Sequence, residues 1–278
     1  MNVLIYLILT ALLGGGISGG IERGMEARLD DSLRPRKVRV QVHRGSWLPF
    51  SRTVNAIEVE LEDFRLREGP GEGVVFNPGR DVLAGKVNKI DMVARRFEVQ
   101  ELAVRELQVS VRKLRYNLRK AVWRRQLEVT GIRSCRGQIT LEEAALNRFI
   151  APRVKELKDF RLRFVPGRVE ISGKVNTPVR LGVPITLSAR VEPRLGQIYL
   201  LDPKLKVTVV PVPGFVTRRI IDQINPVVDL NQDPNFPCIV QITDINIGPA
   251  ALQAKAKIVF RATKAAAGSS RTARPGGA

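Results

Sequence analysis

Apolar and polar positions change period several times along this chain, and the changes mark its elements. Ile21, Met25, Leu29 and Leu33 recur at i, i+4 spacing, which predicts a helix ended by Pro35. Alternation follows. Val38, Val40 and Val42 share one strand face, and Ile57, Val59 and Leu61 share another, with Glu58, Glu60 and Glu62 opposite. Residues 69–79, rich in Gly and Pro, read as a loop. From Leu102 to Val111 the pattern is strand-like, with a phase slip at Arg105 and Glu106 that a bulge would produce. Val111, Leu114, Leu118 and Val122 then fall on one helical face, among Arg112, Lys113, Arg115, Arg119, Lys120, Arg124 and Arg125, with Trp123 near the end. A basic amphipathic helix with a terminal Trp suits an anionic membrane interface. The same stripe suits a short connector packed on a sheet.

Thr140 is read as opening the next helix, with Glu143 completing a capping box and Leu146, Phe149 and Ile150 forming the apolar stripe. Pro152 interrupts it. Beyond lies a ladder. Val169, Ile171, Gly173 and Val175 alternate, then Val179 through Val191, then Leu205, Val207 and Val209, as in antiparallel sheet with one apolar face. Gly214 and Pro226 bracket a second amphipathic helix, with Val216, Ile220, Ile221 and Ile224 inward and Arg218 and Arg219 outward. Strands at 239–247 and 254–262 close the fold, and residues 263–278 read as a disordered basic tail.

Two stretches echo each other. Leu61-Glu62-Asp63-Phe64-Arg65-Leu66-Arg67 returns as Leu157-Lys158-Asp159-Phe160-Arg161-Leu162-Arg163, and Gly85-Lys86-Val87-Asn88 returns as Gly173-Lys174-Val175-Asn176. An offset of about ninety residues, seen twice, is not the period of a solenoid of short repeats. It predicts two related β-rich lobes, about 22–139 and 140–262, that together make an extended sheet able to line a groove. The expected class is therefore α+β: an extended, curved antiparallel sheet packed on a few amphipathic helices.

Composition narrows the partners. The 278 residues are 44% hydrophobic, enough for a real core. Lys and Arg number 46 against 27 Asp and Glu, a formal charge of +19 that attracts lipid headgroups or nucleic acid. Aromatics make up only 5%, and no basic stretch carries the interleaved rings that stack bases, so no nucleic-acid partner is expected. Residues 1–21 contain no charged side chain, and 3–13 are almost continuously apolar. The segment is long enough to span a bilayer, or it is a signal peptide cut among the small residues near 18–20. Every nearby basic residue, from Arg23 to Lys37, lies after it, which by the positive-inside rule keeps the body cytoplasmic.

Catalytic and metal signals are sparse. His43 is the single histidine and has no triad companions. Cys135 and Cys238 lack metal spacing and are either buried thiols or one disulfide. Asp229-x-Asn231-x-Asp233-x-Asn235 begins like a calcium loop, but Pro234 stands at the turn glycine and Val240 at the bidentate glutamate, so a polar turn is the better reading. No phosphate-cradling glycine motif or cofactor motif is present.

From Leu141 to Phe260 the chain runs helix, strand pair around Gly173, a strand ending Arg190-Val191-Glu192-Pro193, Pro211-Val212-Pro213 before a helix, then Thr243-Asp244-Ile245-Asn246-Ile247. This layout resembles the LmeA-like phospholipid-binding family, and the part from Ile21 through Trp47-Leu48-Pro49-Phe50 to Phe64 fits it too. The resemblance implies a non-enzymatic, envelope-associated protein that binds phospholipid in an apolar groove, with a tubular lipid-binding sheet wrapped on helices as fold analogue. On that basis Leu146, Phe149, Ile150, Phe215, Val216, Ile220, Ile221 and Ile224 are expected to meet acyl chains. Arg115, Arg119, Arg124, Arg218 and Arg219 are expected near an anionic surface. The alternative is a membrane-anchored structural or assembly protein whose sheet is only a core.

Overall fold

A computed structural model describes residues 21–44, 53–66, 74–78, 83–124, 127–155, 157–175, 182–207, 218, 221–231 and 238–260. The first helix, α1 (Ile21–Leu33), packs on the hairpin partners β1 (Lys37–Arg44) and β2 (Thr53–Leu66). Then come β3 (Val74–Phe76), β4 (Ala84–Val99), β5 (Leu102–Asn117), α2 (Leu118–Arg124), β6 (Leu127–Gly131) and β7 (Ser134–Glu142). Helix α3 (Glu143–Ile150) and a 3₁₀ turn (Ala151–Arg153) lead into β8 (Lys158–Val165), β9 (Arg168–Val175), β10 (Val183–Arg194) and β11 (Gln197–Val207). Residues 221–224 are helical and precede β12 (Val228–Asp229), β13 (Cys238–Ile247) and β14 (Ala251–Phe260).

The described strands form two sheets. One runs β1-β2-β4-β5-β7-β14-β13, with β6 on β5 and β3 on β6; the other runs β12-β11-β10-β9-β8. The protein is β-rich, with a curled, mainly antiparallel sheet and few helices. The β2–β4 and β3–β6 pairs are parallel, which the expectation of antiparallel sheet missed. The last two strands return to the first sheet, beside β7. One continuous core joins Leu29 of α1, Leu146 of α3, Leu187 of β10 and Val240 of β13.

The curl has a local cause. On β2, Glu62 and Asp63 stand between buried Leu61 and Phe64; on β4, Arg95 and Arg96 stand between Ala94 and Phe97; on β5, Arg105 and Glu106 stand between Val104 and Leu107. These pairs are in register, Leu61 with Ala94 and Phe64 with Phe97, then Ala94 with Leu107 and Phe97 with Val104. Two successive outward residues on three neighbouring strands make a crease. Asp63 and Arg96 take φ of 54° and 51°, the bulge-like backbone that increases twist and bends a strand. The slip read at Arg105 and Glu106 is the β5 part of it.

A second crease corrects the sequence reading. Arg112 and Lys113 stand between buried Val111 and Leu114, and Lys113 has φ of 53°. The kink stretches the strand's period from two to three, so Val111 and Leu114 mimic a helical stripe. They belong to β5, and α2 begins only at Leu118. A further correction concerns Thr140, which lies in β7, paired with Glu106 and Gln253, rather than capping a helix. Helix α3 starts at Glu143, without a side-chain cap from Glu142. The Glu143 carboxylate instead accepts from the Phe164 N–H at 2.7 Å.

The echoed motifs have the same local shape in different surroundings. Asp159 has φ of 56°, matching Asp63, but β8 pairs antiparallel with β9 whereas β2 pairs parallel with β4. Asp63 is held by Arg96 and Asp159 by Lys174, at 2.8 Å in each case. Each echoed glycine lies beneath a neighbouring side chain: a Cβ at Gly85 would overlap the Tyr116 ring, and one at Gly173 would overlap Leu157.

Cys135 and Cys238 are buried thiols with no disulfide between them, on the two strands that flank β14. A bridge would have to cross a whole strand, roughly 9–10 Å, beyond disulfide reach. Burial pushes both thiols up to about 12.

Candidate functional site

A cleft of about 780 Å³ opens where the end of α1, the first crease and the start of α3 meet. Its volume falls in the range of small-molecule sites. Leu33, Phe64, Phe97, Val104 and Ala145 make its apolar floor. Phe64 and Phe97 stack with centroids 5.0 Å apart and planes within 4°. They meet because the parallel register places them opposite each other just past the crease.

The rim is dense in charge: Arg34, Arg65, Arg96, Arg105 and Arg148, with Asp31, Asp63, Glu98 and Glu142. Arg96 donates from Nε to Asp63 Oδ1 at 2.8 Å and from Nη2 to Asp63 Oδ2 at 3.0 Å and Glu62 Oε2 at 3.1 Å. The hydrogen bonds from Arg96 hold the Asp63 carboxyl below the usual carboxylate range. Desolvation pushes Glu62 up, but Lys37 and Arg96 outweigh it and its carboxyl also falls. Arg65 pairs with Glu98 at 3.1 Å and Arg105 with Glu142 at 3.6 Å. Arg34, Arg148 and Asp31 have no ion pair among the described residues.

Local structure positions both unpaired arginines. Arg34 follows α1 with φ of 46°, and its N–H closes the helix on the Asp30 carbonyl at 2.8 Å. That left-handed capping position favours glycine, and a β-carbon there costs roughly 1–2 kcal/mol. Arg148 rides on α3, which is stitched to the edge of β8. Asn147 donates to the Leu162 carbonyl at 2.7 Å and accepts from the Leu162 N–H at 2.6 Å.

The sequence-selected residues fall partly beside this cleft. Leu146 and Ile150 are buried on α3, next to cleft-lining Ala145 and Arg148. Phe149 is half-buried, with the Arg153 guanidinium 3.5 Å from its ring centre. Ile221 and Ile224 are buried in the same continuous core. Phe215, Val216, Ile220 and Arg219 lie outside the described residues. Arg115, Arg119 and Arg218 are exposed; Arg124 ends α2, and its side chain is outside the described set. Arg115 stands toward the far end of β5 from Arg105, roughly 30 Å along the strand.

Sequence reasoning missed Arg34, Arg148, Phe64 and Phe97 as site residues. The echoed Asp-Phe pair could have drawn attention to Phe64, but no local pattern marks Arg34 or Arg148. Asp229 and Asn231 of the calcium-like run are engaged structurally. Asp229 accepts from Gln197 at 2.7 Å and from the Asn231 N–H at 2.8 Å, as in a polar turn. No helix among the described residues is long and apolar enough to cross a membrane, and residues 1–20 lie outside them.

The model of the LmeA-like phospholipid-binding family matches residues 77–257. The chain belongs to that family. No curated protein and no solved structure matches it.

Proposed function

We propose that this protein binds phospholipid, without catalysing a reaction, at the cell envelope, and that it carries or presents the lipid there. The observation that carries this reading is the family match over 77–257. The cleft supplies compatible geometry, with an apolar floor under an arginine-rich rim. In this reading the two echoed halves act as related lobes. Acyl chains contact the cleft floor and the adjoining apolar face of α3, and extend to the apolar face of the helix preceding Pro226. The surplus of basic residues draws the protein to anionic lipid, and residues 1–21 anchor or export it.

The test is native mass spectrometry with lipid extraction on the full chain purified from a membrane-containing host. Stoichiometric phospholipid is the expected result. A lipid-free mass, with no uptake from phosphatidylglycerol vesicles, would favour an anchored assembly protein that shares the family's fold without a cargo.

A further inference from the structure

Resting on that reading, we infer that the cleft between α1, the first crease and α3 holds the phosphate of the bound phospholipid, with Arg34 and Arg148 donating to it. Three of the five rim arginines are already committed to Glu62, Asp63, Glu98 and Glu142. The Arg96 pairs brace the crease, and each of the three already carries an anionic partner. Arg34 and Arg148 are exposed and have no such partner among the described residues. Guanidinium groups recognise phosphate through paired, charge-assisted hydrogen bonds.

Charge balance narrows the ligand. The residues lining the cleft carry five arginines against Asp31, Asp63, Glu98 and Glu142, a single net positive charge that one phosphodiester neutralises; Glu62 is compensated from outside the cleft by Lys37 and Arg95. A diphosphate or a phosphate monoester dianion would leave excess negative charge beside Asp31. The Asp31 carboxylate accepts from a hydroxyl or ammonium on the headgroup. Below the rim, the stacked Phe64 and Phe97 offer an apolar surface to the first part of the acyl chains.

The backbone carries a second, independent mark. Arg34 keeps a left-handed conformation in which glycine is more stable. Strain retained at a residue that lines a cleft points to a use for its side chain. Arg148 follows Asn147, whose stitch to β8 holds this part of α3 in place.

The test titrates the full chain, held in amphipol, with dihexanoyl phosphatidylglycerol below its micelle concentration. Arg34→Gly is expected to melt at or above the unmodified chain, because glycine suits its backbone, and yet to bind at least about tenfold more weakly. Arg148→Gln should lose a similar factor. The Lys204→Gln/Lys257→Gln double variant removes two exposed charges that do not line the cleft and should bind normally. Equal loss in that control would mean a general field effect and overturn the site. Undiminished binding by Arg34→Gly and Arg148→Gln, with lipid still seen in native spectra, would overturn the site and leave phospholipid binding intact. Absence of binding and of copurified lipid in the unmodified chain would overturn both. Inorganic phosphate competing as strongly as the lipid would overturn a headgroup source in favour of free phosphate.

Discussion

Glu128 is fully buried, its carboxylate receiving Lys120 Nζ at 2.9 Å, Asn77 Nδ2 at 2.8 Å and Asn117 Nδ2 at 2.8 Å. Burial pushes this carboxyl up, but the three donors and the Lys120 charge outweigh it, so it sits below its ordinary value. A depressed carboxylate stabilises the fold above the ordinary carboxylate range, and that stability is lost as pH falls through the folded-state value. Asp63, held down by Arg96, acts with the same sign. Urea midpoints are therefore expected to hold near neutral pH and fall on acidification below the ordinary carboxylate range. Glu128→Gln should lower neutral-pH stability by about 1–3 kcal/mol and flatten that acid limb. The cost stays below that of an orphaned buried charge because Lys120, 28% exposed, can turn to water. An acid limb unchanged in the glutamine variant would contradict this assignment.

At the scale of elements, sheet edges are closed by side chains that imitate a missing strand. Glu26 and Glu22 of α1 accept from the Val40 and Val42 N–H groups on edge strand β1, at 3.0 and 2.7 Å. Asn147 serves Leu162 of β8. Asn225 serves Leu200 of β11, accepting at 2.8 Å and donating at 3.0 Å. Asn231 serves Val240 of β13, accepting at 2.9 Å and donating at 3.1 Å. Unpaired edges invite pairing with another chain, so these contacts protect solubility as well as stability. Asn147→Ala or Asn225→Ala leaves one backbone donor and one acceptor without their partner, at a cost of about 1–3 kcal/mol in urea unfolding. Light scattering near the midpoint should rise in both. Removing the exposed Lys37 ammonium, 3.5 Å from Glu62, should change stability little, since Arg95 and Arg96 still pair with that carboxylate. If Lys37→Ala costs as much as Asn147→Ala, the edge argument is wrong.

At the scale of the molecule, the charge of +19 makes electrostatic attraction to anionic vesicles the expected consequence of the proposed function. Flotation with phosphatidylglycerol vesicles is expected to weaken as salt rises from about 0.05 to about 0.5 M, because screening shortens the reach of surface charge. Replacing exposed Arg115, Arg119 and Arg218 by Glu should weaken flotation further while leaving short-chain lipid binding in the cleft unchanged. Flotation insensitive to both salt and these substitutions would leave apolar insertion as the sole attachment.

Much was legible in the residues because alternation and i, i+4 spacing are local. The period alone marked α1, β1, β2 and the ladder from β9 to β11. The echoed Asp-Phe motif reads as a sign of two related lobes, and what the two copies share is a local kink, with φ near 55° at Asp63 and Asp159. The sequence also determined the basic surface and the layout that resembles the family. Tertiary structure decided the rest. A kink at Lys113 turned a strand's period into a helix's, and only pairing with β4 distinguishes the two. Thr140 looked like a cap until strands distant in sequence took it into the sheet. The cleft draws on α1, β2, β4, β5 and α3, so no local pattern could have assembled it. Which arginines remain free is likewise a property of the fold, because it depends on which carboxylates the register sets beside them.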